Sequence, residues 1–209
     1  EKFGCKCFVG AGSQAEYGRA DGLIEEGTPC RPETAYGIAK LCAGQMSRLY
    51  CEQKGIRHVW CRIFSVYGPG DAESTMVISV IRQLLAGKVP ELTMGEQIWN
   101  FLYTSDAARA LCMLGEKDAC EGIYCIGSKE SRQLKSYIEE LRDCIDCNLL
   151  LKFGARPYSE KQVMNISVNI DKLVSDTGFV QSVEFSEGIR RTIQWCKEHS
   201  QVEETGYGK

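Results

Sequence analysis

The sequence predicts an α/β fold built on a largely parallel sheet, and three observations carry that prediction. Short apolar runs of strand character, "KCFVGAG", "HVWCRIFSVYG", "IWNFLYT" and "GIYCIG", recur along the chain. Between them lie segments whose apolar residues follow a helical period, the alternation expected of parallel strands joined by crossover helices. Of 209 residues, 44% are hydrophobic and 25% charged, enough apolar material to bury a core in one domain or in one large and one small lobe.

In chain order, "KCFVGAG" reads as a short buried strand and "RADGLIEEGTPCRP" as a polar loop punctuated by Gly and Pro. Thr34 is a suitable N-cap for a helix over "AYGIAKLCAGQMSRLYCEQKG", closed by Gly55, with Ile38, Leu41, Met46 and Leu49 forming a broad apolar face. "HVWCRIFSVYG" is the next strand and turns at "GPGD"; "STMVISVIRQLLAGK" is helical. "IWNFLYT" is a strand leading into a helix that opens on Ser105 or Asp106, "GIYCIG" is another strand, and "SRQLKSYIEELRDCI" another helix. Beyond residue 150 the pattern loosens to one short strand signal, a small helix and a terminal helix over "SEGIRRTIQWCKEH", with a frayed "QVEETGYGK" tail expected.

The net charge of −3 provides no electrostatic footprint for nucleic acid or an acidic membrane surface, so neither partner is expected. No apolar run reaches the roughly 18 residues that span a bilayer, and "EKFGCKC" lacks the apolar stretch of a signal peptide. A cytoplasmic location is expected on those grounds. Twelve cysteines without export predict no disulfide framework, and most should act as small buried hydrophobes. Cys144-x-x-Cys147 has metal-ligand spacing, but only two histidines, His58 and His199, are present to complete a site, so no metal is expected.

The stretch "CFVGAGSQAEYG" spells three chemistries. Gly10-x-Gly12-x-x-Ala15 matches a dinucleotide-binding loop, which must open a helix whose N-terminus receives the pyrophosphate. The Gly18, Gly22, Gly27 and Pro29 that follow allow no such helix. Ala11-Gly12-Ser13-Gln14-Ala15 approximates a nucleophile elbow, which needs a late histidine, and His199 sits among polar residues as a surface side chain would. The third reading pairs Ser13 with Tyr36 and Lys40. Tyr-x-x-x-Lys on a helix sets a phenol and an ammonium on one face, one turn apart. A free phenol titrates near 10, so acid–base work near pH 7 needs a shift of roughly 3 units, which a fixed ammonium and a serine hydroxyl can supply. Nine tyrosines and thirteen lysines give about 0.6 such pairs by chance, so the spacing alone does not decide the matter.

The flanking residues do more. "FVGAGSQAEYG", "TPCRPETAYGIAK", "CRIFSVYGPG", "GEQIWNFLYTSDAARAL", "GARPYSEKQV" and the closing "NIDKLVSDTGFVQSVEFSEGIRRTIQWCKEH" together resemble, in order and spacing, the extended short-chain dehydrogenase/reductases that act on nucleotide sugars. The resemblance implies Ser13, Tyr36 and Lys40 as catalytic residues. It also implies Tyr36, Lys40 and Phe64 at the NAD or NADP cofactor, and Ser65 and Arg156 at a nucleotide-sugar substrate. Ser65 stands where the family has asparagine. Trp99 and Asn100 replace an Arg-Asp pair, which removes a charged contact to the substrate, while Asp106 is kept.

The same resemblance implies the C-terminal part of a Rossmann-like parallel sheet with a small α/β substrate-binding lobe. Residues 1–70 would hold the remaining Rossmann-like strands and the Tyr-x-x-x-Lys helix. Residues 71–209 would form the mixed substrate lobe, with a Rossmann strand returning near 98–126. The family's glycine-rich cofactor loop precedes the serine strand by roughly 100 residues, and this chain begins six residues before Cys7. The main cofactor loop is therefore expected to lie outside this sequence, leaving a sheet edge that normally pairs. The implied activity is epimerisation or oxidoreduction at sugar C4 with Tyr36 as acid and base, in an enzyme that is a homodimer at full length, with this chain alone nearly inactive. Dehydratases place Asp-Glu where Gln14 and Ala15 stand, so dehydration is disfavoured. Reduction of a 4-keto-6-deoxy nucleotide sugar remains an alternative, as does a non-catalytic binding module. Glu16 has two readings, a solvated turn residue or a feature of the ketosugar reductases.

Overall fold

The structure, a computed structural model, describes residues 4–199; the closing "QVEETGYGK" lies outside the described residues. The strands are β1 (Cys7–Ser13), β2 (Arg57–Ile63), β3 (Ser65–Tyr67), β4 (Ile98–Trp99), β5 (Phe101–Tyr103), β6 (Gly122–Ile126) and β7 (Arg132–Gln133). The helices are α1 (Ala35–Lys54), α2 (Met76–Leu85), α3 (Thr104–Glu116), α4 (Leu134–Asp143), α5 (Asp171–Thr177) and α6 (Phe185–His199). The chain divides into two compact units. One comprises Glu1–Val66, Ile98–Ser131 and Val163–Ser182, and the other Tyr67–Gln97, Arg132–Gln162 and Val183–Lys209.

The first unit is built on a three-stranded parallel sheet of order β1-β2-β6. β1 lies against β2 from Cys7 opposite Arg57 to Ser13 opposite Ile63, and β2 against β6 from Val59 opposite Gly122 to Ile63 opposite Ile126. Side chains alternate across β2. Val59 and Cys61, fully buried, join Ala110 and Leu114 of α3 in the main core, whereas His58, Trp60 and Arg62 serve the face that α1 covers. Thr34 caps α1 by accepting the Gly37 N–H, and Gly55 ends it with φ 63°, a left-handed conformation that glycine adopts without cost.

Trp60 explains several glycines at once. A Cβ at Gly10 would stand 2.4 Å from its ring, one at Gly12 2.4 Å from its Nε1, and one at Gly44 2.7 Å from its ring. The indole, only 5% exposed, thus occupies space that side chains at all three positions would need. Gly10-x-Gly12 is a packing feature of β1, which continues to Ser13 and gives way to a three-residue 3-10 turn.

Four local expectations are corrected. The broad apolar face of α1 is turned outward: Ile38, Met46 and Leu49 are each at least half exposed, and the buried positions are Gly37, Gly44 and Cys51. Small residues let the helix backbone approach Trp60, where large ones would hold it off. "IWNFLYT" breaks into β4 and β5 at Asn100, fully buried, whose amide donates to the carbonyls of Ser128 and Glu130 and accepts the Ser128 N–H. α3 opens at Thr104, one residue before the expected start; Asp106 in its first turn accepts from the N–H and hydroxyl of Ser182 and from Arg109. "HVWCRIFSVYG" divides into β2 and β3 at Phe64.

The second unit packs α2, α4 and α6 around Ile78, Ile81, Leu141 and Ile189, each at most 1% exposed. The Phe185 ring centroid lies 4.6 Å from that of Tyr137 and 5.1 Å from that of Tyr67. His199, on the last turn of α6, is exposed and stacks on Trp195 at 4.7 Å.

All twelve cysteines are free, but only Cys51, Cys61, Cys120, Cys125 and Cys196 are buried, while Cys5, Cys42, Cys112 and Cys147 are exposed. The expectation of mostly buried thiols is corrected on that count: the exposed ones lie on outward helix faces and in loops. Burial pushes the thiols of Cys61 and Cys125 up to about 12. No helix among the described residues is long and apolar enough to cross a membrane.

Two outcomes test this packing. Gly10→Ala is expected to lower stability by about 1–3 kcal/mol in urea unfolding, and by less in a Trp60→Leu background, where the colliding ring is gone. A thiol reagent is expected to label the four exposed cysteines in the native protein and to reach Cys61 and Cys125 only on denaturation, as peptide mapping will read.

Candidate active site

The three expected catalytic residues come from two elements of the first unit. Ser13 ends β1 and caps the 3-10 turn at Gln14–Glu16 with extended backbone, φ −150° and ψ 148°. Its Oγ accepts the Ala15 N–H at 3.2 Å, which leaves its O–H free to donate, since no acceptor for it exists among the described residues. Ser13 is 8% exposed.

Tyr36 and Lys40 lie one turn apart near the start of α1. The Tyr36 side chain is 58% exposed, and its hydroxyl has no hydrogen-bond partner among the described residues. The Lys40 ammonium sits 5.7 Å from the Tyr36 ring centroid, within cation–π range. It also donates to the Ala11 carbonyl at 2.8 Å, two residues before Ser13. One of its three N–H groups is thereby used to tie α1 to β1.

Tyr50-x-x-x-Lys54 repeats the same spacing at the other end of α1, with Lys54 Nζ 6.0 Å from the Tyr50 ring centroid. The motif therefore occurs twice on one helix, and spacing does not choose between the copies. The difference is tertiary: the first pair is tied through Lys40 to the strand that carries Ser13.

Beneath Ser13 lies a group that the sequence left open. Glu16 is fully buried. Its Oε1 accepts the Ser13 N–H at 2.9 Å and the Trp60 Nε1–H at 3.0 Å, and its Oε2 accepts Arg62 Nε–H at 2.8 Å. Arg62 also stacks over Tyr17, 4.6 Å from its ring centroid. The solvated-turn reading of Glu16 is thus corrected: strand alternation on β2 brings Trp60 and Arg62 to the face where Glu16 arrives. The signal in sequence was the spacing Ser13-x-x-Glu16, a capping box.

Phe64 is 5% exposed and belongs to the main core, 6.2 Å from Tyr17. Ser65 is half-buried at the start of β3. Arg156 belongs to the second unit, where it is exposed and its backbone N–H donates to the Leu92 carbonyl at 3.1 Å. Cys144 follows α4 with its Sγ 3.8 Å from the Ser186 carbonyl, and Cys147 is exposed. A cavity of about 260 Å³ opens on the α1 side of the sheet, lined by Leu41, Arg48, His58, Trp60 and Ile123 among others; Ser13, Tyr36 and Lys40 do not line it.

Residues 1–127 match the sequence profile described as the NAD dependent epimerase/dehydratase family. Among curated proteins, a dTDP-glucose 4,6-dehydratase of Escherichia coli is 25% identical over 184 residues, which is 83% of this chain and 51% of the relative. A dTDP-4-dehydro-6-deoxyglucose reductase of Escherichia coli is 24% identical over 196 residues, 91% of this chain and 61% of the relative. In fold, the chain is similar to a UDP-N-acetylglucosamine 4-epimerase from Methanobrevibacter ruminantium solved with UDP-N-acetylmuramic acid. The TM-score is 0.85 at 22% identity, over 92% of this chain and 63% of the other. The chain thus spans about half to three-fifths of the length of the curated relatives it matches.

Removing the tie between α1 and β1 should cost little by itself. Lys40→Met is expected to change stability in urea by under about 1.5 kcal/mol, the net worth of one hydrogen bond in a partly exposed setting.

Proposed function

Because the chain belongs to the NAD dependent epimerase/dehydratase family, we propose that it carries the Ser-Tyr-Lys part of a nucleotide-sugar epimerase or oxidoreductase. Tyr36 then exchanges a proton with the sugar C4 oxygen during hydride transfer. One observation supports this most directly: an exposed phenol with no partner among the described residues stands beside a lysine ammonium tied to the strand of Ser13. In this reading the unspent Ser13 O–H donates to the sugar oxygen.

The described residues fit one end of a dinucleotide. Tyr36 and the two remaining Lys40 N–H groups suit the hydroxyls of a nicotinamide ribose. Gly10 and Gly12 do not suit a pyrophosphate, because Trp60 fills the space beside them. NAD or NADP, when bound, accepts or returns the hydride; its phosphates must be held by residues other than these glycines. In this reading Phe64 offers the nicotinamide only a small edge, Ser65 offers the sugar a hydroxyl, and the exposed Arg156 guanidinium suits a diphosphate. The substrate is a nucleotide sugar and the full-length assembly a homodimer.

Gln14 and Ala15 supply no carboxyl group for elimination, and Glu16 is held by Arg62 and Trp60. These features favour C4 epimerisation or 4-keto reduction over dehydration. By this reading the chain alone is nearly inactive.

The test supplies a glycine-loop half of the family in trans with nucleotide sugars, and with NADH for the reductase arm or NAD⁺ for the epimerase arm. Net NADH oxidation with a 4-keto-6-deoxy sugar is expected for a reductase, and C4 inversion without net oxidation for an epimerase. In either case Tyr36→Phe should lower kcat by about 10²–10⁴-fold, the usual worth of a positioned acid–base group. Silence of the complemented wild type towards every sugar would sink the enzymatic reading and leave the binding module.

A further inference from the structure

We propose that the cavity between α1 and β6 is a binding site for a small aromatic ammonium, its ring against Ile123 and beside Trp60 and its charge at Glu121. Ser13, Tyr36 and Lys40 do not line this cavity, so the site stands apart from any reaction of the Ser-Tyr-Lys set.

The void has a local cause. Gly10, Trp60 and Ile123 are register partners across β1, β2 and β6 and share one face of the sheet. The Trp60 ring leans over β1, where it fills the space beside Gly10 and Gly12 and meets Gly44 of α1. A ring placed over β1 leaves Ile123 on β6 only half-buried, and α1 packs on β1 and β2. What remains is a cleft of about 260 Å³ with Ile123, His58 and Trp60 on the sheet side and Leu41 and Arg48 on the helix side. Apolar cavities of about 150 Å³ take up benzene, so this volume suits one phenyl ring with a short chain.

Charge then selects among aromatic molecules. Arg62 is committed to Glu16 at 2.8 Å and Arg48 to Glu52 at 3.2 Å, so those four groups cancel in pairs. His58 adds no charge at neutral pH, because burial, and after it the Arg48 guanidinium, holds its imidazole below the usual range. Its Nε2 is bonded to the Ser47 hydroxyl at 2.9 Å. Glu121 is left over: its exposed carboxylate lines the cleft and has no ion-pair partner among the described residues. One uncompensated negative charge therefore stands beside an indole and an imidazole, a setting that attracts an ammonium and repels a carboxylate.

Three probes of one shape test this: 2-phenylethylamine as the cation, 2-phenylethanol as the neutral form and 3-phenylpropionate as the anion. The chain has three tryptophans, Trp60, Trp99 and Trp195, hence three indole N–H signals in a proton–nitrogen NMR spectrum. Trp60→Phe assigns the one that is bonded to Glu16. Phenylethylamine is expected to shift the Trp60 signal with a Kd on the order of 1 mM, usual for so few atoms, while Trp99 and Trp195 stay in place. It should bind about three- to fivefold more tightly than the alcohol, the worth of one exposed charge pair, and the carboxylate should bind more weakly than the alcohol. Glu121→Gln should bring the amine down to the alcohol and leave the alcohol unchanged. Ile123→Phe, which sets a ring of the protein in the cleft, should abolish binding of all three; should it not fold, Leu41→Phe fills the cleft from the helix side with the same expectation. A Trp60 signal that none of the probes moves, or that moves as much in the folded filled variant, overturns the site. Amine binding no tighter than the alcohol, or a preference that survives Glu121→Gln, overturns the ammonium class.

Discussion

The indole of Trp60 laid between β1 and α1 is the contact on which the rest of the first unit depends. It sets how closely the strand and the helix approach, because the three positions around it, Gly10, Gly12 and Gly44, have no side chains. Its N–H fixes the carboxylate of Glu16, and that carboxylate in turn takes the amide of Ser13. A single aromatic side chain thus links packing to the geometry of the strand end. The link works because an indole combines a large apolar area with one donor that must be satisfied when buried.

The same face of β2 shows how a parallel strand can be apolar on one side and polar within. Val59 and Cys61 belong to the main core, whereas His58, Trp60 and Arg62 form a ladder under α1, with His58 bonded to Ser47 and stacked on Trp60. Burying an arginine there is tolerable because Glu16, the Glu26 carbonyl and the Tyr17 ring face it. Burial pushes the Tyr17 phenol up and the His58 imidazole down. The polar network is internal, and the exposed phenol is left to the solvent side.

Relatives of this chain include an epimerase, a reductase and a dehydratase, and their common fold does not distinguish the reactions. In this chain Ser13 is followed by Gln14, Ala15 and a carboxylate committed to Arg62.

Element types and the caps at Thr34 and Gly55 were legible from order and spacing, because strand and helix periods and capping chemistry are local. The interruption at Asn100 was not, since it follows from bonds to Ser128 and Glu130, some thirty residues away. Nor was the outward turn of Ile38, Met46 and Leu49, because helical periodicity marks an apolar stripe without saying which stripe meets the sheet; close approach to Trp60 selected the glycine side instead. The two copies of Tyr-x-x-x-Lys share one spacing, and the reach of Lys40 to the Ala11 carbonyl is a tertiary contact that the spacing does not foretell. Local chemistry wrote the elements, while the choice of buried face and the burial of Glu16 against Trp60 and Arg62 came from contacts between residues distant in the chain, which no local pattern encodes.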